Sequence, residues 1–136
     1  LSQTAEALHN QSALYATQRI VDKIETFAAA TGKQVLYVLS FPAGSIARRI
    51  KEGKRWDQSF VDFMNRRNLP YVDLMEAHVE DFAKYKIGLK EYLAQYFIGH
   101  FNPCGNLLCA YALKKSLVDM LDPKPIPYRH DPEVLP

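Results

Sequence analysis

The sequence predicts an α/β fold with parallel strands, and three features lead to it. VLYVLSFP (35–42) and LPYVDLM (69–75) are short apolar runs rich in β-branched and aromatic residues, the composition of strands covered on both faces. Around them, apolar residues return every three to four positions, the period of helices with one buried side. The resulting order of helix, strand, helix, strand, helix is how crossover helices join parallel strands.

The first helix is expected over 3–31, with Leu14, Ile20, Val21, Ile24, Phe27 and Ala28 on its apolar side and Gly32 supplying the left-handed stop. The first strand follows and is closed by Pro42 and Gly44. Ser45 to Asn68 reads as helical, capped by Ser45, with Ile46, Ile50, Phe60, Phe63 and Met64 as its stripe. Gly53 interrupts it, giving either one bent helix or two short ones. After the second strand, Val79, Phe82 and Ala83 make one short helical face, and Leu89, Leu93, Tyr96 and Phe97 make another beyond Gly88.

The last helix is the best marked. Asn102 sits at its cap and Pro103 at the first helical position, where a missing N–H costs nothing. Leu107, Leu108, Tyr111, Leu117, Val118 and Leu121 are expected to form its buried stripe, and Lys114 and Lys115 lie in the half that favours cations. Asp122-Pro123 stops it. Residues 122–136 hold prolines at 123, 125, 127, 132 and 136 and are expected to be an extended, polyproline-like tail.

A chain of 136 residues supports one core, and 48% hydrophobic with 24% charged residues is a globular composition. The net charge of +2 is too small to imply a polyanionic partner. No run approaches the ~18 to 20 apolar residues of a membrane span, and the start lacks a signal-peptide pattern. Cys104 and Cys109 diverge around one predicted helix, which does not suit a disulfide, and they read as two small buried apolar residues. His9, His78 and His130 share no spacing that suggests a metal, and His78 reads as part of a charged turn. Glu80 and Asp81 are adjacent and point apart, so they make no working carboxylate pair. No metal or cofactor is expected.

His100 is the candidate with chemistry. A general base should be held at the end of a rigid element and open to solvent, and loops at the carboxyl ends of parallel strands provide such places. Imidazole titrates near ~6.5, which suits proton transfer at neutral pH. The plainer reading, a polar residue filling a turn beside a helix cap, fits the same position.

The wording around His100 adds to this. GHFNPCGNLLCAYAL resembles the C-terminal block of SGNH (GDSL-type) hydrolases, in which a histidine is followed by Asn-Pro-x-Gly and a helix of small and apolar residues. His100, Asn102, Pro103 and Gly105 carry the match, while GKQVLYVLSFP looks like that family's penultimate core strand and LPYVDLM, with Asp73, like its last. The resemblance covers about 3–121 and implies a flavodoxin-like three-layer sandwich with parallel strands, present here as a C-terminal fragment (1–121) followed by the tail. It implies ester or acyl hydrolysis, with His100 as the proton-shuttling residue and a small-molecule ester as substrate.

Two departures qualify what the resemblance implies. Phe97 stands three before His100, where the family usually has an aspartate that orients the imidazole. Asp73 is a candidate stand-in, though an acidic residue at a strand end also serves to cap or brace a loop. The second departure is the nucleophile: no Gly-Asp-Ser occurs, and Gly44-Ser45 follows the wrong strand. With no nucleophile, the chain is expected to be the C-terminal half of such an enzyme, inactive alone, and its start at Leu1 without a methionine agrees with this.

Two other readings compete. Arg48, Arg49, Lys51, Lys54 and Arg55 crowd one segment beside Trp56, with Arg66-Arg67 further on, a pattern that in a binding module could hold a nucleic-acid backbone. Their mixed helical angles and the intervening Glu52 favour a solvated face, so nucleic acid is not the expected partner. The other reading is assembly. A sheet of two strands leaves the Val35–Leu39 edge unpaired, a template for the missing half or for a second copy.

Overall fold

In the computed structural model, which describes residues 3–128, helix α1 runs over Gln3–Thr31, and Gly32 follows with a φ of 63°. That left-handed conformation suits a residue without a Cβ, and it lets the Lys33 N–H turn back to the Ala28 carbonyl at 3.0 Å. Strands β1 (Tyr37–Leu39) and β2 (Tyr71–Asp73) pair in parallel, Tyr37 beside Tyr71, Val38 beside Val72 and Leu39 beside Asp73. Helices α2 (Ala43–Glu52) and α3 (Gln58–Arg66) lie between the strands; α4 (Leu74–Phe82), α5 (Leu89–Tyr96) and α6 (Pro103–Met120) follow them. The protein is mostly helical, at 68%, with a small parallel sheet: a mixed α/β structure.

Several expectations are corrected. Each strand keeps only three residues of its apolar run. Of the two arrangements expected for 45–68, the structure has the two short helices: Gly53, with φ 66°, ends α2 and separates it from α3. Ser45 is not a cap. Pro42 takes that position, and its carbonyl accepts from the Ser45 and Ile46 N–H groups at 3.0 and 3.3 Å, which places Gly44 inside the helix. The last described residues, Ile126–Tyr128, form a single 3-10 turn closed by the Tyr128 N–H on the Pro125 carbonyl at 2.8 Å, where an extended tail was expected. His130, Pro132 and Pro136 lie outside the described residues.

The sheet's two faces are covered unequally. Leu14 and Val21 of α1 pack with Phe60 and Met64 of α3, against Tyr37, Leu39 and Tyr71 from one face of the sheet. Each such side chain, fully buried, contributes roughly 1.5–3 kcal/mol. On the other face Val72 is buried, but Val38 beside it is 43% exposed, so β1 is not covered on both sides. Exposure extends to the helices. Leu14, Val21 and Ala28 of α1 are buried at seven-residue intervals, while Ile20, Ile24 and Phe27 face solvent. The expected stripe of α6 is overturned more fully: Leu107, Tyr111, Leu117 and Leu121 are exposed, and the buried residue is Gly105. Cys104 is exposed and Cys109 half-buried, both as free thiols, so neither is the buried apolar residue expected.

Candidate functional site around His100

The turn that carries His100 is built by its neighbours. Phe97 and Phe101 form an antiparallel bridge, and the Ile98 N–H donates to the His100 carbonyl at 2.8 Å across it. Gly99 takes a φ of 92° within the bridge, which a side chain would resist. Asn102 fastens the turn at both ends. Its Oδ1 accepts from the Gly105 N–H at 3.0 Å, capping α6, and its Nδ2 donates to the Gln95 carbonyl of α5 at 2.9 Å. The Asn102 N–H donates to the Tyr96 carbonyl at 2.9 Å. Gly105 is dictated by closeness, because a Cβ there would meet the Tyr96 carbonyl oxygen at 2.5 Å and the Phe101 ring at 2.6 Å. Asn102, Pro103 and Gly105 thus lock α5 to α6 with His100 at the apex.

His100 itself is exposed, and its Nδ1 lies 2.9 Å from the Phe101 carbonyl oxygen. A carbonyl oxygen only accepts, so Nδ1 carries a proton, and in the neutral imidazole the lone pair is then on Nε2. Met120, at the far end of α6, lines a cleft with Val35 and Pro70, the residues that lead into the strands. Phe101 packs on α4, which leaves from the carboxyl end of β2. The 18-residue helix α6 is roughly 27 Å long, and His100 stands in the turn just before its first residue.

Asp73 does not join His100. Its Oδ1 accepts from the Met75 and Glu76 N–H groups at 3.0 and 3.4 Å, capping α4, and its Oδ2 accepts from Arg55 at 2.5 Å. Arg55, with a side chain only 5% exposed, also binds Asp57 through a bidentate fork at 2.9 and 2.8 Å and reaches Glu76 at 3.3 Å. Its neighbouring carboxylates hold its charge on, overcoming the cost of burial. Arg49 pairs with the same Glu76 at 2.8 Å. Two of the five cations in the segment 48–55 are therefore committed to carboxylates.

His78 was misread. It lies on α4, fully buried at 0% exposure, not in a charged turn. Its Nδ1 is 3.0 Å from the Tyr92 hydroxyl, which also reaches the His78 carbonyl at 3.0 Å and Asp81 Oδ2 at 3.2 Å. Tyr96 donates to the same Asp81 oxygen at 2.7 Å. Asp81 is thus a hub for two tyrosines, whose hydroxyl pKa values burial and that carboxylate push upward. Burial lowers the His78 pKa to about 4, against a weaker upward pull from Asp81. The signal for His78 was its helical spacing behind Leu74 and Met75, hidden among acidic neighbours.

Among the described residues no cluster of three or more His, Cys, Asp or Glu side chains could hold a metal ion, and no helix is long and apolar enough to cross a membrane. No protein-family model, curated protein or solved structure matches the chain.

Proposed function

We propose that the chain is the histidine-bearing C-terminal part of an SGNH-like ester or acyl hydrolase, with His100 as general base. The observation that carries this reading is the exposed imidazole whose Nδ1–H is held by the Phe101 carbonyl, an arrangement that in the neutral ring puts the lone pair on Nε2. In the proposed reaction Nε2 takes the proton of a serine hydroxyl as the serine oxygen bonds to the acyl carbon. The imidazolium then returns that proton to the departing alcohol, and a water repeats the sequence on the acyl-enzyme. The Phe101 carbonyl dipole takes over the orienting task of the family's aspartate. Being neutral, it stabilises the imidazolium less, so a slow hydrolase is expected.

In this reading the serine and oxyanion donors belong to chain upstream of Leu1, whose strands would extend the sheet from the free edge of β1 into a three-layer sandwich. The exposed Val38 and the apolar residues on α1 and α6 are the surfaces that such a half would cover. The test is p-nitrophenyl acetate turnover by the upstream-extended polypeptide and its His100→Ala variant. A loss of about 10²–10⁴-fold is expected; an unchanged rate would overturn the assignment.

A second reading, a non-catalytic assembly module, draws on the same exposed Val38 at an unpaired parallel edge. It expects the 136-residue chain to self-associate, and a clean monomer by light scattering at high concentration would exclude it.

A further inference from the structure

The two residues that frame the His100 turn rest on the buried histidine. The His78 ring lies 5.4 Å from the Phe97 ring and 5.8 Å from the Phe101 ring, centroid to centroid, and is parallel to Phe101 within 7°. Phe97 and Phe101 also stack on each other at 4.6 Å. The same Phe101 whose ring lies on His78 offers its carbonyl to His100 Nδ1. A short physical path therefore joins the histidines: the His78 ring sets the Phe101 ring, and the Phe101 backbone sets the His100 imidazole.

The His78 ring is itself pinned. The Tyr92 hydroxyl has one proton and two neighbours that can only accept, the His78 carbonyl and the Asp81 carboxylate. It therefore faces His78 Nδ1 as an acceptor, and Nδ1 donates. Nε2 is left buried without a partner, a cost that phenylalanine at this position would avoid. What histidine supplies in return is a directional bond that fixes the ring's rotation, which a hydrocarbon ring lacks.

We propose that His78 is a positioning residue for His100: pinned by Tyr92, it holds the Phe97–Phe101 bridge so that the Phe101 carbonyl keeps His100 in its Nδ1–H form. The purpose of this arrangement rests on the hydrolase reading above.

Long-range proton–nitrogen correlation spectra of histidine-labelled protein report the His100 tautomer directly. The wild-type chain is compared with His78→Phe, which keeps a ring of similar size, and with Tyr92→Phe, which removes one hydroxyl. Unchanged amide shifts at Val21 and Leu39 show that the opposite face of the sheet is intact. His100 is expected to be held as Nδ1–H in the wild type, and its tautomer ratio to fall about fivefold in either variant, the equivalent of one ordinary hydrogen bond. If both variants keep the wild-type ratio, His78 only fills space and the positioning role is overturned while the hydrolase reading stands. Should the wild type already show a free mixture, both fail together. If His78→Phe does not fold, Tyr92→Phe decides alone.

Discussion

The imidazole of His78 and the phenyl ring of Phe101 lie parallel within 7°, 5.8 Å apart, one sealed under the turn and the other forming its floor. Four rings, from Tyr92, Tyr96, Phe97 and Phe101, surround this histidine. The buried polar side chain of the α4–α5–α6 region thus packs on Phe97 and Phe101, the two residues that bridge across the His100 turn. In the proposed positioning role, stability of that region and presentation of His100 are linked through one side chain.

That link has a pH signature. Folded His78 titrates at about 4, whereas an unfolded histidine titrates near ~6.5. Between those values the unfolded chain holds the proton and the folded chain does not, so acid favours unfolding. Stability is expected to be full above about pH 6.5, to fall by roughly 3 kcal/mol as pH drops towards about 4, and to level off below. Urea midpoints measured across that range check it, and His78→Phe should flatten this part of the profile.

Gly105→Ala tests the closeness of α5 and α6. The added methyl meets backbone at 2.5 Å, which has little freedom to withdraw. A loss of about 1–3 kcal/mol is expected from denaturant midpoints, the range for overpacking. A neutral result would mean that the two helices separate easily.

Asn102 performs two tasks that two substitutions divide. Asn102→Asp keeps the oxygen that caps α6 and loses the donor to Gln95; Asn102→Ala loses both. About 1 kcal/mol is expected for each lost bond, so the alanine variant should be the less stable by about that amount. Chemical denaturation of both variants at neutral pH measures the difference.

Arg55→Ala should be the most damaging single change considered. It strips the buried Asp57 and the half-buried Asp73 of their shared cation. A loss of about 3–5 kcal/mol is expected, since an uncompensated buried charge is left behind. Denaturant midpoints measure the loss; a shift equal to that of an exposed Lys54→Ala control would contradict the role.

What the sequence made legible was local chemistry. Gly32, Gly53 and the Asn102-Pro103 pair act on their immediate neighbours, and they marked helix ends that the structure reproduces. Parallel pairing followed from the order of elements. Burial was less legible, because periodicity says which residues share a face and not whether that face finds a partner. Leu107 and Tyr111 keep perfect helical spacing and stand 58% and 67% exposed. Pro42 displaced Ser45 as the start of α2 because its fixed φ, here −70°, already suits the approach to a helix. Arg55 and His78 were missed for a different reason. Tyr92 lies 14 residues from His78 and Asp73 lies 18 from Arg55, beyond any local pattern, although Asp57, the other carboxylate on Arg55, is two residues away.

The distance from His100 Nε2 to the serine oxygen that the proposed function requires, in a crystal structure of an upstream-extended polypeptide, tests the central claim most directly. The account expects hydrogen-bond reach, about 2.6–3.2 Å, with Nδ1 still held by the Phe101 carbonyl. An imidazole turned away from that oxygen, or a serine site assembled at the amino ends of the strands, would contradict it.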